Sequence, residues 1–121
     1  MAKILVVDDS WLIRKVVGGY LRKEGHEVVE GENGNQCLDL AELEKPDVVI
    51  LDLLMPASGG LDVLQALRRE GRNLPVIVLT ADIQEATHEQ CRQLGVDQIL
   101  QKPPRGSEVL AAISVTLGQS V

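Results

Sequence analysis

Asp8 and Asp9 stand together directly after the apolar run Lys3-Ile4-Leu5-Val6-Val7. Asp52 follows Asp47-Val48-Val49-Ile50-Leu51, Thr80 and Ala81 follow Pro75-Val76-Ile77-Val78-Leu79, and Lys102-Pro103 comes just after Gln98-Ile99-Leu100. If each run is a strand of one parallel sheet, all of these polar groups project from the same end of it. Open α/β sheets bind their ligands there, beyond the carboxyl ends of the strands. Carboxylates gathered at one edge repel: at an effective dielectric near 20, a pair about 4 Å apart costs on the order of 4 kcal/mol. They stay ionised only if positive charge joins them. A divalent cation with oxygen ligands meets that need, and Mg²⁺ fits best, being hard and a common companion of phosphoryl groups. Lys102 adds a point charge and Thr80 a hydroxyl donor. A cation, a lysine and a hydroxyl around one aspartate form a clamp for a tetrahedral oxyanion. The aspartate itself can be the nucleophile, giving an acyl phosphate.

The elements that must position these groups are legible in the periodicity. The first, third and fourth runs are nearly continuous in apolar, β-branched residues, as strands covered on both faces require. Glu27-Val28-Val29-Glu30 is a weaker second strand. Between the runs lie helical patterns. Leu12, Ile13, Val16, Val17, Tyr20 and Leu21 are spaced for one face of a first helix that stops at Gly25. Ser10 is a good N-cap for it, which leaves the aspartates free. A second helix covers 35–44 and ends before Pro46. A third covers 61–70, with Leu61, Leu64 and Leu67 inward, and ends at Gly71. A fourth covers 83–94, ending at Gly95, and a fifth covers 107–117, with Val109, Leu110, Ile113 and Leu117 on one face. The βα unit thus occurs five times, which predicts an α/β fold with a parallel sheet, right-handed crossovers and helices on both faces. One domain over residues 1–121 is the expectation, with no output domain beside it.

Composition narrows the function. The chain has 121 residues, of which 45% are hydrophobic and 25% charged, with a net charge of −6. That suits an ordinary globular domain and argues against disorder. The acidic balance argues against nucleic-acid binding, which needs a basic footprint on phosphate. No apolar run reaches the roughly 18 residues of a membrane span, and the N-terminus carries no signal-peptide pattern, so a cytoplasmic location is expected. Cys37 and Cys91 are too few for a disulfide framework and read as free thiols. His26 and His88 have no second ligand nearby in sequence, which disfavours zinc. Met55 is expected to pack under its loop, and Tyr20 to serve in the packing of the first helix. Trp11, two residues past Asp9, covers the start of that helix or lies near the metal site.

Asp8-Asp9, Asp52 with Met55-Pro56, Thr80-Ala81 and Lys102-Pro103 together resemble the receiver domain of two-component response regulators, the CheY-like domains. Each dipeptide alone is weak; all of them at these intervals, from Lys3 to about Leu117, are specific. The resemblance implies a doubly wound sheet in order 2-1-3-4-5 and gives each residue a role. Asp52 is the phosphoacceptor, attacking a phosphohistidine on a sensor histidine kinase or phosphotransfer protein. Asp9, Asp52 and the backbone carbonyl of Leu54 ligate Mg²⁺, and Asp8 holds a metal-bound water. Lys102 pairs with the phosphoryl group, Thr80 turns to donate to it, and small Ala81 leaves access. The face made by the fourth helix, fifth strand and fifth helix then changes shape and meets a downstream protein effector; Gln84, His88, Gln98 and Gln101 are candidates for that face. The protein would be a switch, monomeric or weakly dimeric, and no enzyme beyond its own phosphotransfer and dephosphorylation. A receiver cut from a longer regulator, or a receiver-like scaffold that works without phosphorylation, are the alternatives.

Three departures from the family pattern bear on this. Ile99 occupies a position that is commonly Tyr or Phe, so an aromatic rotamer flip is not available. Pro56-Ala57-Ser58-Gly59-Gly60 lacks the aspartate many receivers carry before the second glycine, and Gly59 should loosen that loop. Leu54 and Asp82 flank the phosphate, and Leu54 has no polar group to orient an attacking water, which points to a longer-lived phosphoryl group. Two other classes fit less well. A phosphohydrolase of the haloacid dehalogenase type needs a second aspartate where Leu54 stands. A flavodoxin-like carrier needs a phosphate loop where Asp8-Asp9 would repel the phosphate.

Overall fold

The apolar runs sort by parity, one set of side chains to each face of the sheet. The computed structural model describes residues 1–55, 59–70, 73–81 and 84–118. Strands and helices alternate along it: β1 Lys3–Val7, α1 Trp11–Lys23, β2 Glu27–Gly31, α2 Gly34–Glu44, β3 Val48–Asp52, α3 Gly60–Arg69, β4 Val76–Thr80, α4 Glu85–Gln93, β5 Gln98–Gln101 and α5 Gly106–Thr116. All pairings are parallel and the order is β2-β1-β3-β4-β5. Leu5 and Val7, Val49 and Leu51, and Val76 and Val78 meet α2, α3 and α4 through Cys37, Ala41, Val63, Leu64, Leu67 and Cys91. Ile4 and Val6, Val48 and Ile50, and Ile77 and Leu79 meet α1 and α5 through Val17, Leu21, Val109, Ala112 and Ile113. That is the two-residue period of a strand, read once on each face. β2 and β5 are the edges and are only partly buried, which is why their sequence signal is weaker.

The helix ends follow local chemistry. Ser10 caps α1, its side chain accepting from the Ile13 amide at 3.2 Å. At the other end Gly25, at φ +89°, takes the left-handed conformation. The Gly25 amide donates to the Arg22 carbonyl and the His26 amide to the Leu21 carbonyl, the Schellman pattern. α4 ends the same way: Gly95, at φ +76°, donates to the Arg92 carbonyl and Val96 to that of Cys91. The expected stop of the third helix at Gly71 and the expected start of the fourth at Ile83 lie outside the described residues.

Two sequence expectations are corrected. Leu12 and Val16 do not join the inward face of α1; they are exposed. The buried residues are Arg14, Val17, Gly18 and Leu21, a clean helical stripe turned by half a revolution from Leu12 and Val16. Arg14 can sit there because its guanidinium finds oxygen partners inside. Second, Asp52 and Thr80 do not follow their strands but end them, paired in register with Leu79 and Gln101. Strand hydrogen bonding therefore fixes both backbones.

Candidate functional site

Asp8 and Asp52 are each 1% exposed, whereas Asp9 beside them is exposed. One carboxylate oxygen from each of the three lies within 4.8 Å of the others. No other such group of His, Cys, Asp and Glu occurs among the described residues. Asp8 is held on several sides. Its amide donates to the Gly31 carbonyl at 3.2 Å, and its Oδ1 accepts from the Ser10 amide at 2.9 Å. Asp52 Oδ1 accepts from the Leu54 amide at 3.0 Å. The second oxygens, Oδ2 of Asp8 and of Asp52, are buried. What faces them is charge: Lys102 Nζ lies 2.8 Å from Asp8 Oδ2 and 3.3 Å from Asp52 Oδ2.

β4 and β5 bring Lys102 to this place. The Lys102 amide donates to the Thr80 carbonyl at 2.9 Å, extending the β4–β5 ladder to the site edge. Thr80 itself is buried and Ala81 exposed. The peptide bond from Lys102 to Pro103 is cis. Behind Asp52, the Gly60 amide at the start of α3 donates to the Leu53 carbonyl at 3.0 Å. Met55 is buried in the core. The Leu54 side chain is exposed, and so is Trp11 at the rim of α1. Pro56, Ala57, Ser58 and Asp82, singled out in the sequence, lie outside the described residues. Gly59 is the N-cap of α3.

Electrostatics mark Asp52 as the stressed group. Burial pushes its pKa above the ordinary aspartate range; the Leu54 amide pulls it back, the Asp8 charge pushes it up again, and Lys102 offsets part of that. For Lys102 burial disfavours the ammonium, but Asp8 and Asp52 outweigh it and hold the pKa above the usual lysine value. The donors suit a small hard cation: they are carboxylate oxygens, and the two buried aspartates share the ammonium of Lys102, which leaves net negative charge beside exposed Asp9. Lys102→Met is expected to tighten Mg²⁺ binding about tenfold, since the lysine repels a divalent ion on the same carboxylates by roughly 1–2 kcal/mol after screening. Calorimetric titration checks this, and weaker binding in the variant would contradict it.

Sequence reasoning missed Arg14 and Glu30. Arg14 Nη1 donates to the Asp8 carbonyl at 2.6 Å and Nε to Glu30 Oε1 at 3.3 Å. Lys15 and Arg22 also reach Glu30, at 3.0 and 3.2 Å. Burial works against the Glu30 carboxylate, but these cations outweigh it and leave its pKa below the ordinary glutamate value. The available signal was a charged pair of edge-strand and helix residues near the aspartates. Cys37 and Cys91 are buried and stand in no disulfide, as expected, and burial pushes the Cys37 thiol up to about 12, so it is not a nucleophile. On the opposite flank, Ile99 packs partly into the core and, with His88, Arg92, Val96, Asp97 and Gln98, lines a hollow between α4 and β5.

This fold and this acidic pocket define a class. Residues 4–114 match the model of the response regulator receiver domain, and the chain belongs to that family. It is 35% identical to the protein PilH of Pseudomonas aeruginosa over 119 residues, 97% of this chain and 98% of that one. It is also 35% identical to the alkaline phosphatase synthesis transcriptional regulatory protein PhoP of Bacillus subtilis, over 98% of this chain and 49% of that protein. The chain thus spans about half the length of several curated relatives it matches. Among solved structures, the chemotaxis protein CheY4 of Vibrio cholerae superposes with a TM-score of 0.91 at 30% identity, covering 97% of this chain and 99% of that one. Receiver domains are signalling domains that work with histidine kinases and effector domains. No helix among the described residues is long and apolar enough to cross a membrane.

Proposed function

We propose that the chain is a phosphorylation-dependent switch of a two-component system. It takes a phosphoryl group on Asp52 from a sensor histidine kinase or phosphotransfer protein, with Mg²⁺ held by Asp9, Asp52 and the Leu54 carbonyl and assisted by Asp8. One observation supports this above the rest: a buried aspartate flanked by a second buried aspartate, with an oxygen 3.3 Å from a lysine ammonium. Bound Mg²⁺ supplies the positive charge that lets three carboxylates stay ionised around an incoming anion. The protein's own residues do the rest. An Asp52 oxygen attacks phosphorus, the bond from phosphorus to the histidine nitrogen breaks, and the imidazole leaves with the electron pair. Lys102 moves from the carboxylates to the phosphoryl oxygens, and Thr80 donates its hydroxyl to another. Because the Lys102 amide is bonded to the Thr80 carbonyl, the two ends of β4 and β5 shift together.

The shift reaches a downstream protein through the face of α4, β5 and α5. With Ile99 in place of an aromatic ring, that face changes without a ring flip. The exposed Leu54 side chain has no polar group to hold an attacking water, so the acyl phosphate is long-lived. The domain acts in the cytoplasm as one receiver unit, as a monomer or weak dimer, and its only catalysis is on itself. Intact mass with acetyl phosphate tests the reading. A gain of one phosphoryl group that needs Mg²⁺ and vanishes in Asp52→Asn is expected; no gain in the wild type favours a scaffold that works without phosphorylation.

A further inference from the structure

Among the described residues Arg14 is the one buried arginine, and nothing in the phosphoryl chemistry above uses it. A buried guanidinium needs several partners, because an uncompensated charge inside a protein is costly. It has them from three directions. Nη1 donates to the Asp8 carbonyl at 2.6 Å, Nε to Glu30 at 3.3 Å, and Nη2 lies 3.7 Å from Glu32. Glu30 and Glu32 neutralise the charge, so the side chain can serve as a strut. The Asp8 carbonyl belongs to the peptide plane that carries the Asp9 amide. Fixing that oxygen therefore sets the direction in which exposed Asp9 leaves the chain. The Asp8 amide is fixed at the same time by Gly31, the last residue of β2.

We infer that Arg14, anchored by Glu30, is a positioning residue for the cation site: it holds the Asp8–Asp9 peptide so that both carboxylates converge on Asp52. This rests on the Mg²⁺ reading of the site. Charge and geometry make opposite predictions here, which makes the idea testable. Arg14 is a cation close to a cation site, so if it acted only through its charge, deleting it would tighten Mg²⁺ binding. If it positions the peptide, deleting it weakens binding despite the lost repulsion. Arg14→Lys keeps the charge but cannot span the Asp8 carbonyl and Glu30 with a fork. Glu30→Gln keeps Arg14 and weakens its anchor.

The experiment is a calorimetric Mg²⁺ titration of wild type, Arg14→Gln, Arg14→Lys and Glu30→Gln. It is run well below the melting temperature of each, alongside amide hydrogen exchange at Ser10 in metal-free protein. Binding about tenfold weaker is expected in both Arg14 variants, the lower end for supporting partners of metal ligands, with a smaller loss in Glu30→Gln. Faster Ser10 exchange is expected too, because that amide is bonded to Asp8 Oδ1. If Arg14→Gln does not fold, Arg14→Lys and Glu30→Gln decide the matter. Folded variants that bind Mg²⁺ as tightly as wild type, or more tightly, overturn the inference. A wild type that does not bind Mg²⁺ overturns the cation site itself, and this inference with it.

Discussion

Replacing Asp52 by Asn is expected to raise the melting temperature of the metal-free protein and to remove the stabilisation that Mg²⁺ gives it. The carboxylate is buried and faces the charge of Asp8, which Lys102 at 3.3 Å only partly offsets. Relief of that penalty is worth about 1–3 kcal/mol, on the order of 5 °C for a domain of this size. Lys102 keeps Asp8 at 2.8 Å as a partner, so the substitution does not strand the ammonium. The pH dependence carries the sign. Burial raises the folded pKa of Asp52 above its unfolded value. Its favourable contribution is therefore fully present below the ordinary aspartate pKa, about 3.9, and is lost as pH rises through the raised folded value. In thermal melts with chelator, the gap between Asp52→Asn and wild type should be small near pH 3.5 and grow toward neutrality. A gap that shrinks or reverses with rising pH would contradict the account.

Gly60→Ala is expected to lose about 3 kcal/mol of stability, the upper end of the usual overpacking range, and with it most phosphoryl acceptance. A Cβ built on Gly60 would lie 2.5 Å from the Asp52 carbonyl oxygen and 2.5 Å from Leu53 Cα. Both are backbone, so no flexible side chain can swing aside. Either α3 moves off the sheet, breaking the Gly60 bond to the Leu53 carbonyl, or β3 bends just where Asp52 is presented. Gly59→Ala is the matched control, since a Cβ there meets nothing within 4 Å. Denaturant unfolding should separate the two variants clearly; equal stabilities would show that the close approach is not a constraint.

The site was legible because each of its residues stands where an apolar run stops. Asp8, Asp52, Thr80 and Lys102 needed only the strand assignment to fall on one sheet edge. The order of strands was not legible from periodicity and came through family resemblance, since the alternation of β and α fixes the parallel sense but not which strand lies in the middle. Arg14 was missed because a charged residue inside an amphipathic helix normally faces water. Its burial depends on the Asp8 carbonyl and on Glu30, which come from other elements. The same fact explains the misread face of α1: Leu12 and Val16 are apolar enough to suggest the core, yet the inward stripe passes through Arg14 and Gly18. Hydropathy alone cannot find a stripe of that kind.

The central claim is that Asp52, and neither of its neighbouring aspartates, carries the phosphoryl group. The most direct test is to treat the wild type with Mg²⁺ and acetyl phosphate, reduce the acyl phosphate with borohydride, and sequence the peptides by mass. Reduction converts a phosphorylated aspartate to homoserine. Homoserine is expected at position 52, and none there when Mg²⁺ is withheld. Homoserine at position 8 or 9, or unmodified aspartate at all three positions, would contradict it.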